Sequence, residues 1–155
     1  MKENTCCFFG HRTINETDEL RTKITEAVER LISDENVDTF LFGSKSEFDR
    51  LCLELVTKLK EKYPHVKRIY VRAEYPFISD DYRSRLLRYY DETYYPEKLH
   101  GAGHAAYVER NYEMINNSKY CIVYYDEQKA PAISKSGTKI ALAYADRKGR
   151  KVILI

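Results

Sequence analysis

Four short stretches carry side chains able to bind an anion or move a proton, and each follows a run of apolar residues. Gly10-His11-Arg12 ends the first run. Arg12 there offers a planar fork for a phosphate or carboxylate; a turn with a solvated arginine fits the same residues. His11 is a candidate base, and equally a hydrogen-bonded structural histidine. Gly43-Ser44-Lys45-Ser46-Glu47-Phe48-Asp49 follows the second run. Ser44 and Glu47 have capping-box spacing, which accounts for both. Asp49, one turn inward, either hydrogen-bonds a sugar hydroxyl or simply favours a helix N-terminus. Arg72-Ala73-Glu74-Tyr75 follows the third run, and Asp126 through Thr138 the fourth. Within the last stretch Ser136-Gly137-Thr138 opens a helix whose free N–H groups and dipole suit an anion; an ordinary Ser cap explains the triplet as well. Arg110 and Asn111 stand on a separate helix. Arg110 either pairs with Glu109 at the surface or points into a crevice.

The elements that must position these groups alternate between strand and helix. Thr5 to Phe9 reads as a buried strand. Thr17 caps a helix with Asp18 and Glu19 in its first turn, where the dipole favours acids. Leu20, Ile24, Ala27, Val28, Leu31 and Ile32 follow at helical spacing. Val37 to Phe42 is a second strand. Phe48, Leu51, Cys52, Leu55 and Leu59 form the next helical stripe, closed by Tyr63-Pro64. Val66 to Val71, Lys119 to Tyr125 and Lys151 to Ile155 complete five strands, and helices lead into and out of the fourth. This alternation predicts a single Rossmann-like, three-layer α/β/α domain spanning 1–155, with a mostly parallel sheet of five strands or slightly more. In such a sheet ligands bind beyond the carboxyl ends of the strands. Residues 77–106 show no clear period. Asp80 to Tyr90 has helical character, and the rest reads as a long tyrosine-rich loop, an insertion or a lid. Eight of the fourteen tyrosines fall between Tyr75 and Tyr112. They suit stacking on a base and covering a dimer surface equally well.

Composition narrows the function. The chain has 155 residues and a formal net charge of +2, which weighs against gripping nucleic acid through a broad basic face. No signal pattern precedes the first strand, and no apolar run approaches the ~20 residues of a membrane span. A cytoplasmic protein with no membrane partner is expected. Cys6, Cys7, Cys52 and Cys121 fit no zinc spacing and read as reduced core residues. Gly101-Ala102-Gly103-His104-Ala105-Ala106 matches the letters of a dinucleotide motif, but no strand precedes it. His100 and His104 are four apart, but the two glycines between them spoil a helical metal pair, and there is no third ligand. No metal and no required cofactor is expected.

The same stretches resemble a known group. Thr5-Cys6-Cys7-Phe8-Phe9-Gly10-His11-Arg12 is similar to the opening "CCFTGHR" signature of the YpsA/YoqJ-like branch of the SLOG superfamily. Glu109-Arg110-Asn111-Tyr112-Glu113-Met114 with Ser118 resembles that branch's "RN-x-x-M…S" helix. Gly137-Thr138 with Ala141 and Tyr144-Ala145 resembles its "GGT…yA" helix. SLOG joins the Rossmann domain of DNA-processing protein A to the LOG phosphoribohydrolases, and its members are thought to bind nucleotides or nucleotide-derived ligands. The resemblance implies a bacterial or phage origin. By resemblance Arg110 matches the catalytic arginine of the LOG motif, and Gly137-Thr138 its phosphate loop. LOG carries a glutamate after its Gly-Thr, where this chain has Lys139-Ile140-Ala141; it has paired glycines where this chain has Lys135-Ser136.

The resemblance therefore implies a sensor or binding module for a nucleotide-like ligand. Gly10, His11, Arg12, Gly43, Ser44 and Asp49 would line one side, and Arg110, Asn111, Ser136, Gly137 and Thr138 the other. The alternative is a nucleotide N-glycoside hydrolase, with Arg110 and Asp49, Glu47 or Glu74 as candidate catalytic groups. A third is an accessory protein of DNA processing. LOG relatives suggest a homodimer.

Overall fold

The computed structural model describes residues 2–126 and 137–155. A short 3-10 turn at Lys2–Asn4 leads into β1 (Thr5–Gly10), followed by α1 (Asp18–Asp34), β2 (Thr39–Phe42), α2 (Glu47–Lys62) and β3 (Lys67–Val71). Then come α3 (Asp80–Leu86), β4 (Glu92–Tyr94), two 3-10 turns, α4 (Ala106–Asn116), β5 (Tyr120–Tyr124), α5 (Gly137–Arg147) and β6 (Lys151–Leu154). The six strands form one parallel sheet in the order β4-β3-β2-β1-β5-β6. The chain thus runs outward from β1 through β4, then restarts on β1's other side. The strand order reverses between β1 and β5, the position where such sheets leave a crevice.

Alternation along β1 divides the core. Cys6 and Phe8 face a cluster built from α1 and α2, with Ile24, Val28, Phe48, Leu51 and Leu55. Cys7 and Phe9 face the opposite cluster, with Met114 and Ile115 of α4 and Ala141 and Ala145 of α5. A strand buried on both faces needs apolar residues at successive positions, as Thr5–Gly10 supplies. All four cysteines are free and buried, and Cys7 Sγ lies 3.5 Å from Cys121 Sγ across the β1–β5 register. Among the described residues no helix is long and apolar enough to cross a membrane.

The helix starts follow local side-chain chemistry. Thr17 Oγ1 accepts from Leu20 N at 3.1 Å and caps α1. At α2 the cap is Ser46 rather than Ser44: Ser46 Oγ accepts from Asp49 N at 3.0 Å. Ser44 Oγ instead binds Ser46 Oγ at 2.8 Å and accepts from Ser46 N. Glu47 Oε1 accepts from Ile14 N at 3.1 Å, so it ties down the loop after β1 instead of closing a capping box.

Residues 77–106 are more ordered than a loop. They hold α3 and the sheet's edge strand β4, which polar contacts fix in place. Asp91 accepts from Arg68 N, Nε and Nη2 at 2.8–3.1 Å. Thr93 Oγ1 donates to Tyr70 O at 2.9 Å and accepts from Arg72 Nη1 at 3.0 Å. A small satellite core of Ala73, Leu99 and Ala106 then seats the start of α4.

Gly10 is set by packing. A Cβ there would lie 2.3 Å from the Phe48 ring, inside any tolerable contact. Gly10→Ala is expected to destabilise the fold by about 1–3 kcal/mol, read as a lowered midpoint in urea unfolding. The double variant with Phe48→Leu should recover part of that loss.

Candidate functional site

The ends of β2 and β3 converge on one side chain of α4. Arg110 is only 4% exposed. Its Nη1 donates to Gly43 O at the end of β2 and to Val71 O at the end of β3, the latter at 3.3 Å. Nε donates to Asn111 Oδ1 at 2.9 Å. Gly43 permits this approach: a Cβ there would stand 2.7 Å from both Arg110 Cδ and Met114 Sδ. The ring of Tyr107 lies one turn back on α4, with Arg110 Cζ 5.8 Å from its centroid. The remaining terminal nitrogen, Nη2, makes no hydrogen bond among the described residues and is not shut off from solvent. Half of a guanidinium fork is left for a ligand.

Asp49 is the nearby carboxyl, 3% exposed. Burial pushes it up to about 8, and neither Arg110's charge nor a hydrogen bond from the Gly43 backbone offsets that burial. No ion pair within 4.0 Å joins Asp49 to Arg110 among the described residues. Burial also lowers Arg110, and the fields of Asp49, Tyr70, Tyr107 and Glu74 act in the other direction. Arginine still stays protonated at any accessible pH. Around neutrality, then, a buried cation stands beside a carboxyl that is mostly uncharged, and the site has a positive surplus. Tyr90 is pushed up by burial and by Asp49, and stacks on Tyr70 with ring centroids 5.0 Å apart. Glu74 completes the rim. Its Oε2 meets Lys45 Nζ at 3.1 Å, and its Oε1 accepts from Tyr107 Oη at 3.4 Å.

A second group gathers at the strand-order reversal. His11 Nε2 accepts from Asp126 N at 2.7 Å, and the imidazole packs against Tyr124 and Tyr125. These contacts give His11 a structural role joining the loops after β1 and β5. Gly137 and Thr138 begin α5, with Thr138 buried; Ser136 lies outside the described residues. A hollow of about 240 Å³, lined by Asn15, Thr17, Leu20, Tyr124 and Ile155 among others, opens on the α1 side of this group. A larger one of about 490 Å³ lies along the outer face of α1 and α2. Neither includes Arg110 or Asp49, whose interest rests on chemistry rather than on cavity size.

The site residues read from the sequence therefore divide. Gly43, Asp49, Arg110 and Asn111 come together at β2 and β3. Gly10, His11, Gly137 and Thr138 lie toward β1 and β5. Arg12 is exposed, and its carbonyl accepts from Glu47 N at 2.8 Å. Ser44 and Glu47 are engaged in loop and helix-start contacts. Tyr90 and Tyr107, both from the tyrosine-rich stretch, join the first group; Lys45 and Tyr70 join it without having been singled out, and the position of Lys45 in a strand-end loop was the available signal. Among the described residues no set of three or more His, Cys, Asp or Glu side chains is placed to hold a metal ion.

A family model for YpsA, described as the YspA SLOG family, matches residues 4–155. The chain belongs to this SLOG family. It is also 30% identical over 147 positions to the uncharacterized SPbeta prophage-derived protein YoqJ of Bacillus subtilis (strain 168), covering 83% of this chain and 81% of that protein.

The Asp49 carboxyl makes a pH prediction. Its folded value near 8 lies above the ordinary value of 3.8. Between the two, the folded chain holds a proton that the unfolded chain has released. Stability therefore falls as pH rises through this window, by about 1.4 kcal/mol per unit for this group, and levels off above it. Asp49→Asn keeps an acceptor for Gly43 but cannot ionise. Urea unfolding of both proteins between about pH 5 and pH 8 should show the variant gaining steadily on the wild type. Parallel curves would refute a buried, proton-bearing Asp49.

Proposed function

We propose that this SLOG-family protein binds a phosphate-bearing nucleotide or nucleotide-derived ligand at the carboxyl ends of its strands, as a sensor or binding module. The observation that carries the reading is the Arg110 guanidinium. It is buried and, among the described residues, lacks a directly paired carboxylate and retains unpartnered Nη2 donors. A dehydrated guanidinium with open donors suits a phosphate oxygen, because such hydrogen bonds are charge-assisted and water competes poorly there. The start of α5 at Gly137-Thr138 provides a further anion point at the strand-order reversal. Family membership supports a nucleotide-type ligand.

One observation favours hydrolysis of a nucleotide N-glycosidic bond as a second reading. Two carboxyl groups act on Arg110 from different environments: Asp49 is buried and protonated near neutrality, and Glu74 is paired with Lys45. Groups separated in this way can divide acid and base roles. Release of free base from a bound nucleotide is the result this reading requires.

A thermal-shift screen against nucleotides, ADP-ribose derivatives and nicotinamide dinucleotides, with product analysis of each hit, tests both. A ligand at ~100 times its dissociation constant adds about 2.7 kcal/mol of stability. A hit recovered intact supports the binding module. Arg110→Lys, which loses the fork, and Thr138→Ala should each weaken binding about ten-fold or more in calorimetric titration. Unchanged affinity in both variants would remove this site.

A further inference from the structure

Three aromatic rings have an exposure that the core does not require, and one of them, Tyr107, lies against Arg110. Tyr75 is 51% exposed, Phe77 87% and Tyr107 50%. Buried contacts hold the backbone that presents two of them. Arg72 is itself buried; it donates from Nε to Tyr75 O at 3.1 Å and from Nη2 to Pro76 O at 3.3 Å. Its Nη1 is anchored on Thr93 of β4 at 3.0 Å. A desolvated guanidinium thus fixes the loop carrying Tyr75 and Phe77, where a chance exposed loop would lack such an anchor. Tyr75 also meets Tyr82 of α3 edge-on, with centroids 6.1 Å apart.

The exposed rings connect to the anion site. Tyr107 lies against Arg110 Cζ and hydrogen-bonds Glu74, the residue before Tyr75. Arg110, Tyr107, Glu74 and Tyr75 therefore form a continuous path from the buried cation to the exposed loop. Lys45 and Glu74 place a donor and an acceptor along it.

We infer that Tyr107, Tyr75 and Phe77 form the stacking platform for the planar base of a nucleotide whose phosphate is held by Arg110. The inference rests on the nucleotide reading above and adds where the base lies and what recognises it. Every nucleobase has a π face, so stacking on tyrosine and phenylalanine gives affinity with little discrimination among bases. The platform therefore fits a ligand class defined by a base and a phosphate together rather than by one base's hydrogen-bonding edge.

The test compares AMP with ribose 5-phosphate, which carries the phosphate and sugar without the base. Calorimetric titrations would use the wild type, Phe77→Ala, Tyr107→Leu and Tyr107→Phe. The wild type should bind AMP at least about ten-fold more tightly than ribose 5-phosphate. Phe77→Ala should lose most of that preference while leaving ribose 5-phosphate affinity unchanged, and Tyr107→Leu should lose most of it as well. Tyr107→Phe, which retains the ring, should keep it. Equal affinity of the wild type for the two ligands would overturn the platform and leave the anion site standing. Failure of both ligands to bind would remove the phosphate site and the platform with it. Sedimentation of Phe77→Ala supplies the remaining arm. A changed association state with AMP affinity unmoved would assign the exposed rings to a self-contact and overturn the inference.

Discussion

A guanidinium taken out of water must find acceptors, and the strand ends provide them for Arg110. Carbonyls at the ends of parallel strands have no further strand partner, so Gly43 O and Val71 O are available to it. The arrangement constrains everything nearby. Position 43 must lack a side chain, because a Cβ would displace both Arg110 and Met114. Met114 in turn belongs to the core cluster between α4 and the sheet, so α4's packing and Arg110's position are one geometry. Asp49 meets the same constraint differently. Placed in the same dry region without a direct ion pair among the described residues, it has its pKa raised by burial, which works against the charged form that would cancel the arginine's charge.

The edge of the sheet is built by polar rather than apolar chemistry. β4 contributes three residues, of which Thr93 is buried, too little apolar area to define a strand by the hydrophobic effect alone. Directed contacts from Asp91, Thr93 and Arg72 do the work that alternating valines and isoleucines perform elsewhere. Arg72 joins this edge to the loop carrying Tyr75 and Phe77, so the boundary of the sheet and the surroundings of the anion site are mechanically connected.

That chemistry explains what the sequence did and did not disclose. The stripes Leu20 to Ile32 and Phe48 to Leu59 directly announced α1 and α2, because helical burial leaves a period. The apolar runs gave five strands for the same reason. β4 was hidden because Glu92-Thr93-Tyr94 has no such pattern and depends on partners more than twenty residues away in the chain. The capping box at Ser44 and Glu47 had the right spacing, yet Ser46 stands closer to the helix and takes the role. Arg110 was legible through its motif, but its partners are backbone carbonyls, which look alike at every position in a sequence. Asp49 drew attention as a carboxylate; that its pKa is raised follows from burial, which residue type does not encode.

The position of β1 also has a consequence for the order in which the molecule assembles. Its two neighbours come from distant parts of the chain: β2 begins at Thr39, whereas Cys7 pairs with Cys121, which is made far later. During synthesis the β1–α1–β2–α2–β3 portion can close one face first. The face bearing Cys7 and Phe9 must then wait for α4, β5 and α5, with an open parallel edge beside it. Long-range parallel pairing of this kind folds slowly and leaves sticky intermediates. On the ribosome, the carboxyl-terminal third thus acts as the closing piece of a half-built sheet, and the nascent chain is most exposed to misassociation just before that piece emerges.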